Sequence, residues 1–141
     1  MPSLRERITQ ALLARLAANL PTLNVQRAPV PAAQRLALPQ LIVEPQGESV
    51  EPGEGESVLR QLTLAVAVLT RGDDALANAD AWQVSVHPLL MATPQLSEPG
   101  FLIRELGCDW ELEDADLIAV RLITRYQISY RSHPQDISQE D

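Results

Sequence analysis

Residues 117–131 of the chain read LIAVRLITRYQISYR, in which polar and apolar side chains alternate with a period of two. Three arginines, Arg121, Arg125 and Arg131, occupy odd positions, whereas the even positions are mostly apolar. Alternation of this kind is typical of a β-strand that buries one face and leaves the other polar. The pattern therefore predicts a long strand over Ala119–Arg131, with its arginines on the face away from the core.

A second strand is predicted at Phe101–Leu112, and an acidic turn at Glu113–Asp116 joins it to the first. With the turn centred on Ala115, two acids of one strand lie directly opposite two arginines of the other. Each pair of opposite charges contributes about 0.2–1 kcal/mol, and a slip of one residue would bury the charges. The predicted pairs are Asp109 with Arg121 and Glu105 with Arg125 on one face, and Trp110 with Val120, Cys108 with Leu122 and Leu106 with Thr124 on the other.

The first helix is predicted to begin at Leu4, because Ser3 and Glu6 form a capping box. Its apolar residues recur at every fourth position, which is typical of a surface helix that packs by one face. Pro21 ends the helix. The apolar stripe comprises Leu4, Ile8, Leu12 and Leu16.

The middle of the chain predicts a long strand, Val58–Thr70, in which apolar residues alternate between two faces. A second helix follows from Asp73 to about Leu90, and Pro88 is expected to kink or end its regular part. Two shorter strands are predicted earlier in the chain, at 23–28 and 41–43.

These elements follow the order α–β–β–β–α–β–β. They predict an α+β fold in which two helices pack on one face of a mainly antiparallel sheet of four to five strands. We expect residues 1–132 to form a single domain. Gln46–Glu56 contains glycines, a proline and acids but no base, so we expect it to be an exposed, mobile acidic loop. The polar residues 133–141 are expected to form a disordered tail.

The charge balance excludes some classes of function. The 141 residues include 11 basic ones, all arginine, against 19 acidic ones, which gives a net charge of −8. Such an excess of acid argues against a protein that wraps nucleic acid, which needs clustered cations. No stretch approaches the roughly 18 apolar residues that span a bilayer, and the amphipathic start lacks the apolar core of a signal peptide. We therefore expect synthesis in the cytoplasm and no membrane partner.

Residues that could carry chemistry are few. His87 and His133 have no plausible nucleophile beside them, and Cys108 is a single thiol that we expect to be buried as a small apolar side chain. One acidic run superficially resembles a calcium loop but lacks glycine at its sixth position and glutamate at its twelfth, so we expect a solvated turn. This run comprises Asp109, Glu111, Glu113, Asp114 and Asp116. We predict no catalytic residue, no cofactor and no metal, and hence no enzyme.

The arginine face of the last strand allows two interpretations. It is either a solvated face balanced by acids or a face buried against a neighbouring subunit, where arginine is favoured for bidentate pairing. Trp82 belongs either to the core, which we expect, or to an interface. The residues expected to contact a subunit or partner are Glu48, Glu51, Glu54 and Glu56 of the acidic loop, and Arg121, Arg125 and Arg131 of the last strand.

The segment Leu117–Arg131 resembles the closing strand of the tail terminator (minor tail or tail-completion) proteins of long-tailed bacteriophages. Those strands alternate apolar and polar residues and finish in Tyr-Arg followed by a small polar residue, here Tyr130-Arg131-Ser132. As an order of elements, the resemblance extends to the opening helix Leu4–Leu20, the strand Val58–Thr70 and the helix from Asp73 to about Leu90.

The resemblance implies an α+β domain that assembles into a ring, usually of six copies, at the head-proximal end of the tail tube. Such a ring stops tube growth and offers a docking surface to neck or head-completion proteins. The implied partners are further copies of the chain, the tail tube protein and a neck protein, while genomic DNA passes through the lumen without specific binding. The implied location is the virion, and the host cytoplasm during assembly. The family has no catalytic residues to carry over.

A different class of function also fits the predicted fold. A small ligand-binding or regulatory α+β module could form a dimer through the open face of its sheet. Such a module would need a pocket lined by convergent polar groups, whereas the terminator would form a ring from two different surfaces of each subunit.

Overall fold

The computed structural model describes residues 1–96, 98–114 and 117–140, with all of their side chains except that of Asp114. Within these residues, two helices and five strands follow the predicted order. A short 3-10 turn lies at Ala32–Gln34. The helices and strands are α1 (Leu4–Asn19), β1 (Asn24–Arg27), β2 (Gln40–Pro52), β3 (Val58–Arg71), α2 (Ala75–Met91), β4 (Leu102–Asp114) and β5 (Ile118–Ser132).

The five strands form one sheet in the order β1-β2-β3-β5-β4. Every neighbouring pair is antiparallel except β1 and β2, which run parallel. Both helices pack on the same face of the sheet, called here the helix-side face, and the opposite face is called the open face. The predicted α+β fold, with two helices on one face of a mainly antiparallel sheet, is therefore confirmed.

The apolar stripe of α1 forms one wall of the core. Every fourth residue from Leu4 to Leu16 is fully buried. The backbone N–H of Glu6 donates a hydrogen bond to Ser3 Oγ at 3.2 Å, which satisfies one of the unpaired donors at the start of the helix. The helix ends at Asn19, just before the proline at position 21.

The even positions of β5 lie on the helix-side face, as the alternation predicts. Leu122, Tyr126 and Ile128 are buried there, and β3 adds Leu64 and Val66 to the same cluster. The odd positions, which include the three arginines, lie on the open face. The side-chain polarity of β5 thus identifies which face the helices cover.

The prediction of a mobile loop at Gln46–Glu56 is wrong for most of this segment. β2 does not end near Pro45 but runs to Pro52, paired with β3, and only residues 53–57 form a turn. β1 covers β2 only as far as Val43, so the rest of β2 is an edge strand. At an edge, a proline can face outward without removing a hydrogen bond from the sheet.

The register of β4 and β5 differs from the predicted one by a shift of two residues near the turn. Glu111, rather than Asp109, lies opposite Arg121. Because the shift is an even number, every side chain in this half of the hairpin stays on its predicted face. The predicted turn centre, Ala115, and the neighbouring Asp116 lie outside the described residues.

Farther from the turn, a β-bulge between Glu105 and Gly107 changes the parity of the pairing. As a result Glu105 faces Tyr126 on the helix-side face, and the predicted pair with Arg125 does not form. The bulge inserts one extra residue, Leu106, into β4, so the side chains of residues 102–105 lie on the face opposite to the predicted one.

Residues 133–140 do not form the predicted disordered tail. The backbone N–H of Leu4 donates to the carbonyl of Ile137 at 2.8 Å, and Arg7 Nη2 donates to the carbonyl of Ser138 at 2.6 Å. The first N–H groups of a helix have no partner within the helix, so this segment supplies an acceptor for α1. The final residue of the predicted tail lies outside the described residues.

The second helix continues through Pro88 instead of ending before it. The proline removes the hydrogen bond that its N–H would donate to the carbonyl of Val84. Val84 lies on the exposed side of the helix, where water can take that place. Trp82 packs partly buried against the core cluster, as expected.

Candidate assembly surface

The centre of the open face is apolar although no helix covers it. Ala65, Ala67 and Ile123 are almost fully buried, and Leu69 packs against them. These alanines are short, so longer side chains on neighbouring strands shield them from water. The result is a shallow apolar floor in the middle of a face that is otherwise polar.

Two of the predicted arginines border this floor and are held by neighbouring strands. Arg125 pairs with Asp109 of β4 through Nη1 and donates from Nε to Gln46 Oε1 of β2 at 3.2 Å. Arg121 Nε lies 3.9 Å from Glu111 Oε2. All of these groups are partly exposed, and an exposed ion pair typically contributes about 0–1 kcal/mol. The pairs therefore orient the arginines more than they stabilise the fold.

The third arginine lies at the far end of the same face. Arg131 Nη1 is 3.8 Å from Glu54 Oε2 in the β2–β3 turn, and Glu54 is almost wholly exposed. Glu51 also belongs to the open face, since it lies opposite Leu59 of β3, and Glu56 is exposed in the turn. The structure thus brings five of the seven predicted contact residues to the open face and one to its rim.

Glu48 is the exception, because it lies on the helix-side face and is used within the chain. Its Oε2 accepts hydrogen bonds from Arg5 Nη1 at 2.8 Å and Arg60 Nη1 at 3.3 Å, and its Oε1 accepts one from the hydroxyl of Tyr130. Its side chain is 12% exposed. Glu48 therefore joins α1, β2, β3 and β5, and is not available to a partner.

Burial and the nearby carboxylate of Glu48 together raise the pKa of Tyr130 above its ordinary value. Desolvation is the larger cause, because it disfavours the charged phenolate. Arg60 is also fixed, since its Nε donates to Ser132 Oγ at 2.8 Å. This cluster was missed in the sequence, where its members are far apart and only the fold brings them together.

A second polar cluster connects α2 to the sheet. The hydroxyl of Tyr126 accepts a hydrogen bond from Gln83 Nε2 at 2.9 Å and lies 2.9 Å from His87 Nδ1. The same His87 nitrogen is 3.4 Å from Glu105 Oε2. Burial raises the pKa of Tyr126 to about 12. The arrangement orients α2 on the helix-side face.

The outer edge of the sheet at β4 is unusually apolar for an exposed strand. Trp110 and Leu112 lie on the helix-side face of β4 with 53% and 61% of their surfaces exposed. Cys108, which we expected to be buried, is exposed beside them. Of the two helices, α1 lies nearer β1, whereas α2 lies over β3 and β5 and reaches β4 only at a few positions, so this end of the face is uncovered.

A groove of about 390 Å³ lies where the open face meets the β4–β5 turn. The irregular segment before β2 forms one wall through Arg35, Leu36 and Leu38, and the ends of β3, β4 and β5 form the other walls. Its lining combines arginine, glutamate and leucine. The segment 28–39 thus shields one end of the open face and leaves the rest uncovered.

Among the described residues, no group of three or more His, Cys, Asp or Glu side chains could hold a metal ion. In the same part of the chain, neither helix is long and apolar enough to cross a membrane.

Comparisons with known proteins give similarities to solved structures. No family model and no curated protein sequence matches the chain. One similar solved structure is titled "Virion of native gene transfer agent (GTA) particle", with a TM-score of 0.46 and 19% sequence identity. The aligned region covers 90% of this chain and 92% of that one.

Proposed function

We propose that this chain is a structural virion protein: a tail terminator that forms a ring of six copies on the head-proximal end of a tail tube. In this role it stops polymerisation of the tube and presents a docking surface to a neck or head-completion protein. The proposal assigns the chain no catalytic residue and no cofactor. Its location would be the virion, and the host cytoplasm before assembly.

The observation that supports this proposal is the open face of the sheet. It combines an apolar floor at Ala65, Ala67 and Ile123 with bordering arginines that neighbouring strands already orient. The floor is already covered within the chain, so a partner would contact mainly the longer side chains around it, and arginine is enriched at protein interfaces. The closing-strand pattern that ends in Tyr130-Arg131-Ser132 supplies the choice of family.

A ring built from one kind of subunit needs two different surfaces that meet head to tail. The open face would be one of them, and the surface that meets it on the next copy remains to be located by experiment. The exposed acids of the β2–β3 turn, Glu54 and Glu56, add to the net charge of −8. If they line the lumen, they would repel passing DNA and keep it from adhering.

The test uses the same substitution at two places. Ser129→Arg adds a long cationic side chain to the open face, where Ser129 is half-buried between β3 and β4. Ser85→Arg makes the identical change on the exposed side of α2, and serves as the matched control. Assembly is followed by light scattering and negative-stain imaging, alone and with purified tail tubes.

We expect the unmodified chain and Ser85→Arg to give rings, free or on tube ends, and Ser129→Arg to give none while remaining folded by circular dichroism. Rings that form equally well with Ser129→Arg would contradict a role for the open face. A compact dimer with no ring under any condition would contradict the terminator role. It would favour the alternative, a ligand-binding module using the groove beside Arg35.

A further inference from the structure

The starting observation is that β4 is a long strand with an unpaired edge. It is the last strand of the sheet and is paired only with β5, from Leu102 to Asp114. One side of its backbone therefore presents N–H and C=O groups without a partner in the sheet. Proteins usually protect such an edge with lysine, proline, a bulge or a covering loop.

The two halves of β4 are protected differently, and the second half is protected only by negatively charged side chains. The bulge at Leu106 interrupts the edge in the first half, but Gly107–Asp114 contains no proline, no lysine and no arginine. This half is also the part where Trp110 and Leu112 are exposed. This half combines exposed apolar side chains with charges of one sign only, which suits addition of a strand that carries bases.

The two faces of this half-strand differ in character. Trp110 and Leu112 lie on the helix-side face, whereas Asp109, Glu111 and Glu113 alternate with them on the open face. Asp109 and Glu111 are more than 60% exposed even though each lies near an arginine of β5. An added strand would therefore meet apolar side chains on one face and carboxylates on the other.

This chemistry also argues against a second copy of the same strand as the occupant. Two β4 strands side by side would bring their carboxylates together, and like charges opposite each other in a sheet are destabilising. The other open edge of the sheet, in the second half of β2, carries Glu44 and Glu51 on its open face and no base. It would meet β4 with the same repulsion.

We infer that the Gly107–Asp114 half of β4 binds an extended segment of another protein, in which basic and apolar residues alternate, as an added strand of the sheet. The basic side chains lie beside Glu111 and Glu113 on the open face, and the apolar ones pack on Trp110 and Leu112. The backbone of the segment completes the hydrogen bonds of the edge. This inference does not depend on the proposed ring, because it uses a different surface from the centre of the open face.

The experiment uses three synthetic ten-residue peptides. One alternates lysine and valine, one alternates glutamate and valine, and one contains the residues of the first as a block of lysines followed by a block of valines. The protein is the full chain carrying Trp82→Phe, which leaves Trp110 as its single tryptophan. Binding is measured as the change in Trp110 emission during titration.

The lysine–valine peptide is expected to bind at least ten times more tightly than either of the others. Two further forms carry N-methyl groups on the backbone of all lysines or of all valines, which blocks one edge of the peptide or the other. At least one of these forms should lose ten-fold or more in affinity. Equal binding of all peptides, or no effect from either N-methylated form, would overturn strand addition.

A charge variant locates the site. Glu111→Lys combined with Glu113→Lys should weaken binding of the lysine–valine peptide at least ten-fold and strengthen that of the glutamate–valine peptide. Glu51→Lys combined with Glu56→Lys makes the same change in net charge at the other end of the molecule and should change neither affinity by more than two-fold. Equal effects of the two double variants would overturn the assignment of the site. The assignment would also be overturned if the Trp110 emission shifted with protein concentration alone, because that shift would indicate a second copy of the chain on β4.

Discussion

At the scale of single residues, Glu48 shows how the fold can change the meaning of a sequence feature. It stands in a run of acids that looks like a solvated loop, yet its carboxylate is enclosed by Arg5, Arg60 and Tyr130. Three donors from three different elements converge on one group that has little contact with water. The carboxylate of Glu48 is therefore paired within the chain and shielded from water, whereas the carboxylate of Glu51 on the same strand is solvated.

This contrast gives a prediction for stability. Glu48→Gln keeps the shape but removes the charge that two guanidinium groups share, and leaving charged groups underpaired costs about 1–3 kcal/mol. We expect a loss of about 2 kcal/mol in the free energy of unfolding, measured by urea denaturation. Glu51→Gln, the matched control on the exposed side, should stay within about 0.5 kcal/mol of the unmodified chain. Equal stability of the two variants would show that the carboxylate of Glu48 is not an internal group.

The two tyrosines of the chain give a second prediction, in alkaline solution. Burial raises the pKa of Tyr126 to about 12, and burial beside Glu48 raises that of Tyr130. Because the folded pKa is above the unfolded one, the stabilisation is complete below about pH 10, the ordinary tyrosine value, and is lost as the pH rises towards 12.

Absorbance at 295 nm measures this directly. The native protein should show almost no tyrosinate at pH 10.5, whereas the chain in concentrated urea should be more than half ionised there. Stability should fall between pH 10 and 12. A native titration that coincides with the urea titration would contradict the burial of both hydroxyl groups.

At the scale of elements, the spacing of apolar residues and the N-cap of α1 could be predicted from the sequence, but the residues that pair across neighbouring strands could not. The stripe of α1 and the parity of β5 depend on local spacing alone, and both are as predicted. The extent of β2 depends on its pairing with β3, which no local pattern shows. The bulge at Leu106 is a single extra residue, and it cancels the predicted pair of Glu105 with Arg125.

The two tryptophans differ in burial, because α2 packs on the core whereas β4 is an exposed edge strand. Trp82 on α2 packs against the core, whereas Trp110 on β4 is 53% exposed. Removing a partly buried aromatic side chain from a core leaves a cavity, so we expect Trp82→Ala to cost about 2–3 kcal/mol. Trp110→Ala should change stability by less than about 0.5 kcal/mol. Thermal and urea unfolding measure both values, and the reverse order would contradict the assignment of β4 as an exposed edge.

At the scale of the whole molecule, the helices and the sheet form two layers, and the second face of the sheet has only the segment 28–39 at one end. A monomer with this architecture leaves a broad face to water, on which side chains such as Arg121 and Arg125 are partly exposed. The proposed ring resolves this by placing another copy on that face. The residues that would carry the contact, such as Arg125, could be placed on the correct face from the alternation of β5 alone. The alternation could not show whether a neighbouring copy covers these residues, because a solvated face and a buried interface have the same alternation of polar and apolar residues.

The most direct test of the central claim is a cryo-microscopy reconstruction of the assembled protein, alone or on tail tubes. The account predicts a closed ring in which atoms of a neighbouring copy lie within van der Waals contact of the partly exposed side chains of Arg121 and Arg125 on the open face. An assembly in which these two residues face solvent, or are covered only by their own chain, would contradict it.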